Sequence, residues 1–222
     1  MKKINWLDHF ANLLVVILGI SIAFYLEGYK EETNNRAREQ KYLESLIKDL
    51  EADLEALDTL QQINQMITKS IVTLSEATSG KEYEDFAQIR NDILTIQYNP
   101  PFVPQRTVYE SIKSSGQIDK ISDFEIRNEV IELYEQYYRG TNQYDEALNE
   151  HVRDFIKPFF MKNIKFTSRS TVADDFLRNN EFQNMIYAYR FLFTAKDGFY
   201  GEVKKKVEDV KEKLDEYLTG LK

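Results

Sequence analysis

The sequence predicts an all-α protein: an N-terminal transmembrane helix that continues into a long stalk helix, followed by an antiparallel helical bundle. Three observations predict it. Residues Phe10 to Leu26 carry no charge. The stretch from Glu27 to Ala77 has no proline and places leucine and isoleucine at alternating steps of four and three. Nowhere does a run of alternating β-branched residues stand between turn residues, the pattern a strand requires.

The apolar segment FANLLVVILGISIAFYL spans roughly 25 Å as a helix, slightly less than the ~30 Å hydrocarbon layer of a bilayer. Its lipid-facing residues are Phe10, Leu13, Leu14, Val15, Val16, Ile17, Leu18, Ile20, Ile22, Phe24 and Leu26, with Trp6 and Tyr29 as amphipathic rings at the two interfaces. A membrane anchor over 10–29, behind a short flank at 1–9, is therefore expected. Lys2, Lys3 and the pair Ser21 and Ala23 also fit a cleavable signal peptide. Against cleavage, helix-compatible sequence continues straight past Phe24. Gly19 and Ala23 form a small-xxx-small pair through which two spans could pack closely. Orientation is set by two lysines before the span against Lys30, Arg36, Arg38 and Lys41 after it. The short basic N-terminus and the ease with which a long domain translocates place the domain on the periplasmic side of an inner membrane.

About 195 residues follow the anchor, and the net charge of −8 belongs to them. Nucleic acid and anionic surfaces both demand clustered lysine and arginine, so an acidic domain of this kind argues against either partner. With no cysteine, disulfides, thiol catalysis and thiolate metal sites are excluded.

Leu43, Ile47, Leu50, Leu54 and Leu57 form a heptad seam within a stalk and bundle helix at 30–78. The seam then slips past Gln61 and Asn64 to Leu60, Ile63, Ile67, Ile71 and Leu74, which favours a bundle over a two-stranded coil. Thr78, Ser79 and Gly80 end this helix, and residues 79–222 supply the rest of the bundle. A helix resumes from Glu82 to Ile96. Three prolines make Tyr98 to Pro104 a non-helical aromatic loop. Thr107 with Glu110 and Ser122 with Glu125 read as capping boxes around a glycine stop at Gly116. The helix opening at Asp123 buries Leu148, Val152, Phe155 and Ile156, is interrupted at Gly140 and stops before Pro158. A loop covers 163–171, a short helix 172–178, and Asn180 with Gln183 caps a last helix running to Leu218.

Three stretches carry a likeness: Asn12 to Phe24 with the charged helix behind it, Arg106 to Tyr138, and Phe176 to Ile186. On them the chain resembles a bacterial family of unknown function made of short single-span membrane proteins with an N-terminal anchor and an all-helical domain. The N-terminus here is shorter and less basic. The resemblance implies an anchored helical domain and assigns no activity, cofactor or ligand to named residues.

Chemistry is sparse. His9 and His151 are far apart in sequence, and Glu146, Glu150 and Asp154 share a helix face without the Glu-x-x-His pairs of a bundle metal site. No GxSxG, GxxxxGK[ST] or GxGxxG run occurs. No cofactor, metal or catalytic residue is assigned, and the alternative of an acid-only enzyme site has no motif to mark it. Fourteen tyrosines are the remaining feature. Most are expected in the core, while Tyr98, Phe102, Tyr134, Tyr137 and Tyr138 are candidates for a partner or ligand surface. The expected function is a membrane-anchored helical interaction or scaffold protein, binding lipid through its first helix and a protein partner or a second copy through its domain. The alternative is an extracytoplasmic sensor-like module with a small-molecule pocket beside the proline loop.

Overall fold

The computed structural model describes residues 6–80, 86–163 and 174–220. All the regular elements in these stretches are helical. A single helix, α1 (Trp6–Thr78), includes both the apolar segment and the heptad seam. Its 73 residues make a rod about 110 Å long. The remaining helices are α2 (Phe86–Thr95), α3 (Thr107–Ser114), α4 (Phe124–Glu132), α5 (Tyr138–His151), α6 (Lys157–Asn163) and α7 (Asn180–Gly220). Short 3₁₀ turns at Ile118–Lys120 and Asp174–Arg178 precede α4 and α7.

The spine of the bundle is α1 packed antiparallel on α7. Glu39 meets Tyr217, Asp58 meets Lys204, Asn64 meets Asp197, and the Thr78 carbonyl accepts from Gln183. The core divides along this spine. One cluster joins Leu43 to Leu60 with Tyr200 to Leu218, the proline loop, α3 and α4. The other joins Ile67 to Ala77 with α2, the end of α5, α6 and Phe182 to Phe193. The slipped heptad thus remains buried within one chain, as bundle packing requires. From Phe10 to Arg38, by contrast, α1 has no buried residue among those described.

Several sequence expectations are corrected by tertiary contacts. Thr107 is the first residue of α3 rather than its cap, and no side chain of the preceding loop caps it. The acceptors come instead from α1: Asp53 takes the Gln105 amide at 2.7 Å, and the Val108 amide faces Asp49. Ser122 does not cap α4, because its amide and hydroxyl both donate to Glu39. Asp123 does so, accepting from the Ile126 amide at 3.0 Å. For α7 the cap is Asn179, one residue earlier than expected, and Gln183 is spent on α1. Gly116 meets the expectation: at φ +66° it closes α3, with the Gln117 amide returning to the Ile112 carbonyl.

Gly140 does not interrupt its helix. It makes room for a neighbour, since a Cβ there would lie 2.6 Å from the Phe199 ring. Nor does Pro158 stop the chain. A π-turn at Val152–Ile156 widens the helix just ahead of it, where a regular turn would drive the proline ring against the carbonyl four residues back. A second π-turn, Leu133–Tyr137, joins α4 to α5. The expected loop at 163–171, and the start of the expected helices at 82 and 172, lie largely outside the described residues.

Burial separates sites that sequence alone treats alike. Leu50→Ala, deep in the first cluster, is expected to cost about 2–5 kcal/mol, whereas the half-exposed Val72→Ala should cost well under about 1 kcal/mol. Thermal melts of the detergent-solubilised chain followed by helix signal will show the difference, and equal losses would contradict the burial pattern.

Candidate interaction surface

Between the two core clusters lies a polar layer, and it governs the proline loop. On α7 the inward positions Phe193, Lys196, Tyr200 and Val203 follow in steps of three, four and three, so Lys196 occupies a core position and is 0 % exposed. Its ammonium is 2.9 Å from Asp145 Oδ1 on α5 and donates to Asn99 Oδ1 and, at 3.3 Å, to the Pro100 carbonyl. The buried ammonium therefore has one ion-pair partner and two hydrogen-bond acceptors. The same ammonium sits 4.9 Å from the centroid of the Tyr200 ring. Tyr200 donates to Asp145 Oδ2 at 2.7 Å and accepts the Phe102 amide at 3.1 Å. Burial drives the Lys196 pKa below the usual lysine value, with the Asp145 carboxylate opposing that shift.

A second grip holds the far end of the loop. Asp53 on α1 accepts from the Gln105 amide and, at 2.5 Å, from the Tyr138 hydroxyl. Burial pushes the Asp53 carboxyl up to about 6; its two hydrogen bonds act the other way, and the neighbouring Asp49 charge adds to the rise. Burial likewise raises the hydroxyls of Tyr134 and Tyr138, with the negative charge of Asp53 adding to both.

These contacts settle where the candidate residues lie. Phe102, Tyr134 and Tyr138 are buried and pack edge to face around one another, so the place where a ligand would have to enter beside the loop is filled by Phe102 itself. Tyr134 also stacks on Tyr109 at 4.2 Å between ring centroids. They belong to the core, which corrects their reading as a surface. Tyr137 is half-buried against Phe199, and only Tyr98 is exposed. The described anchor residues from Phe10 to Tyr29, with Gly19 and Ala23 among them, all face outward. The side chain of Trp6 is outside the described residues, as is that of His9. His151 is buried with its Nε2 3.0 Å from the Met185 carbonyl, and Asp154 pairs with Arg153. Among the described residues no group of three or more His, Asp or Glu is placed to hold a metal ion.

The exposed aromatic surface lies elsewhere. Tyr187 and Phe191, one turn apart on α7, are 76 % and 70 % exposed. They crest a ridge between two grooves. One groove, of about 630 Å³, is lined by His151, Phe155, Glu181, Asn184, Met185 and Ala188. The other, of about 480 Å³, runs along the end of α1 at Ser75 and Thr78 and includes Arg190. Phe155, expected in the core, is exposed beside the first groove, because the π-turn rotates it away from Val152 and Ile156. Sequence reading missed the ridge although a signal was present: Tyr187 and Phe191 fall off the inward stripe of Met185, Ile186, Tyr189 and Phe193. Lys196 was legible in the same way, as a charge on that stripe.

The fold and its surfaces define a class: an all-helical bundle built on one helix whose N-terminal part is long and apolar enough to cross a membrane. The chain belongs to a family described as "Family of unknown function (DUF6090)", matched over residues 12–192. No curated protein and no solved structure matches it.

Two outcomes test the polar layer. In the folded chain Asp53 holds its proton up to about pH 6, whereas in the unfolded chain it releases it near 3.8. The buried charge is therefore unfavourable at neutral pH, and the contribution of Asp53 to stability grows as pH falls through 6 and levels off below about 4. Asp53→Asn should stabilise the chain relative to wild type at pH 7.5, by a margin on the order of 2–3 kcal/mol that shrinks toward pH 4.5. Melting midpoints at the two values will measure it, and a margin independent of pH would refute the assignment. Lys196→Met leaves the Asp145 carboxylate buried beside an apolar side chain and is expected to cost about 3–5 kcal/mol. The double variant Lys196→Met/Asp145→Asn should recover part of that loss in chemical denaturation.

Proposed function

We propose that the protein is a single-pass bacterial inner-membrane protein without catalytic activity, whose helical domain lies on the periplasmic side and docks a protein partner through the ridge of Tyr187 and Phe191. The observation that carries the reading is this ridge: two large aromatic side chains left in water near the start of α7, between two grooves, in a bundle that past Arg38 buries most of its other described aromatic residues. Aromatic residues with a neighbouring arginine, here Arg190, are the composition of interface centres. The grooves are open and shallow, which suits the relief of a protein surface better than the enclosure a small ligand needs.

Geometry supports the anchored half of the reading. Thr78, beside the ridge, is 52 residues beyond Leu26 on the same helix, so α1 would hold the docking surface about 75–80 Å from the end of the apolar run. A partner is engaged well away from the bilayer while the protein stays fixed in it. Among the described residues α1 buries no side chain from Phe10 to Leu26, where Gly19 and Ala23 lie, and this leaves room for a second copy beside the span.

The test is photo-cross-linking in native membranes, with the photoreactive residue at position 187 and a control at the half-exposed position 72. Discrete products at 187 and none at 72, lost on Phe191→Glu with the melting midpoint unchanged, are the expected result. Equal labelling at both positions would sink the docking surface. Paired C-terminal reporters, one active only inside the cytoplasm and one only outside, test the orientation; activity of the inside reporter alone would reverse it.

A further inference from the structure

The outer face of α7 changes character half-way along. One row of positions on it, at alternating steps of four and three, runs through Asn184, Ala188, Phe191, Ala195 and Gly198 and continues through Glu202, Lys205, Asp209, Glu212 and Glu216. All are exposed except the half-buried Ala188. The second half of the row is charged at every position, as a solvated helix face is. The first half carries no charge, and neither do Tyr187 and Thr194 beside it.

The charged residues of the same stretch are turned away from the row. Arg190 lines the groove against Ser75 and Thr78, Glu181 lines the groove on the other side, and Asp197 accepts from Asn64 on α1 at 2.7 Å. What remains is an uncharged seam about 21 Å long. On it Tyr187 and Phe191 stand up, and Ala188, Ala195 and Gly198 leave hollows. Steps of four and three are the spacing of a helix that packs lengthwise on another helix, and small residues beside large ones let ridges enter grooves.

We propose that this seam packs against the same seam of a second copy of the chain, as a parallel two-fold pair of α7 helices; the proposal names the partner of the ridge and rests on its docking reading and on the apolar segment as a membrane span. Three arguments converge. The first is charge. The chain carries −8, and two such molecules repel. An uncharged face lets them meet without setting carboxylate against carboxylate. A partner of opposite charge would be recognised through acidic residues, and the row has none before Glu202.

The second argument is height. Because α7 is antiparallel to α1 and α1 is unbroken from the apolar segment, two copies fixed in one bilayer present their α7 helices in the same direction. Each residue then stands level with its own counterpart. The two-fold axis open to such a pair lies along the bilayer normal, so the patch must fit itself. Two Phe191 rings side by side, flanked by alanine hollows, meet that condition, whereas the row from Glu202 to Glu216 does not.

The third is size. Aromatic side chains bury about 150–250 Å² each, so Tyr187 and Phe191 supply roughly 300–500 Å² per copy. A stable complex of freely diffusing molecules needs about 800 Å² per partner. Anchoring both copies in one bilayer acts as a tether and raises their effective concentration, so a smaller face suffices.

The chain has no cysteine, so single cysteines introduced into the full chain report where two copies touch. An alkaline wash of native membranes first asks whether the chain stays anchored; its release overturns the span and the proposal together. A disulfide needs Cβ atoms about 4 Å apart, so mild oxidation of the anchored chain should give about tenfold more dimer from Ala188→Cys or Ala195→Cys than from Asp209→Cys on the charged half of the row. Adding Phe191→Glu should abolish that excess with the melting midpoint unchanged. Dimer yields at 188 and 195 no higher than at 209, or an excess that survives Phe191→Glu, overturn the second copy as partner. The docking reading is judged separately by the photoreactive residue at 187. Products joining this chain only to a different protein overturn self-pairing and leave the ridge as a docking surface, and no product at all removes both.

Discussion

The antiparallel pairing of α1 with α7 is the contact on which everything else in the bundle depends. Each helix carries an inward stripe at steps of three and four, and such stripes leave the register free to slide by a heptad. Two polar residues on those stripes remove the freedom. Asn64 falls between Leu60 and Ile67 on α1, Lys196 falls between Phe193 and Tyr200 on α7, and both are buried. Asn64 reaches Asp197 at 2.7 Å, next to Lys196 in the chain. Any slid register would set a buried ammonium or amide against leucine, leaving hydrogen-bonding groups without partners at a cost of several kcal/mol. The polar layer thus fixes which residues of α1 face which residues of α7, and it divides the core into its two clusters.

The same layer explains why a loop with three prolines is ordered. Proline supplies no amide donor, so Tyr98 to Pro104 cannot hold itself by backbone pairing. Its free carbonyl at Pro100, the Asn99 side chain and the two amides at Phe102 and Gln105 are instead taken by Lys196, Tyr200 and Asp53, which reach it from α7 and α1. Phe102 fills the space so enclosed. The loop acts as a wedge between α1, α5 and α7, and its aromatic residue contributes to packing.

What could be read from the sequence follows from the range of the interactions involved. Helix identity, the unbroken run from the apolar segment to Ala77 and the Gly116 stop depend on spacing and on local backbone geometry, and they were legible. The capping residues were not. Thr107, Ser122 and Asn180 each have the right local signature, but Asp53, Glu39 and Thr78, all on α1, take the groups involved from 52, 83 and 105 residues away in the chain. Gly140 and Pro158 failed as breakers for related reasons: Phe199 occupies the room one leaves, and a π-turn absorbs the other. The tyrosines near 134 read as a possible surface because their number is visible in sequence while their direction is not. Direction was encoded on α7, where Tyr187 and Phe191 lie off a stripe that Lys196 lies on.

The mechanical consequence of a single α1 is that the apolar segment and the bundle cannot move independently. An α-helix without proline, glycine pairs or a π-turn has no joint, and α1 between Leu26 and Glu39 has only Gly28 to soften it. A membrane helix longer than the hydrocarbon layer relieves mismatch by tilting. The apolar run of α1 is slightly shorter than that layer, so tilt would only worsen the match. On the membrane reading, a rod of this kind stands close to the bilayer normal, and its distal ridge is held at a nearly fixed height. Over 75–80 Å a tilt of about 20°, ordinary for longer spans, would swing the ridge sideways by roughly 25 Å. On that reading a short span would restrict where a partner at the ridge could be met, through the length of seventeen residues at the other end of the same helix.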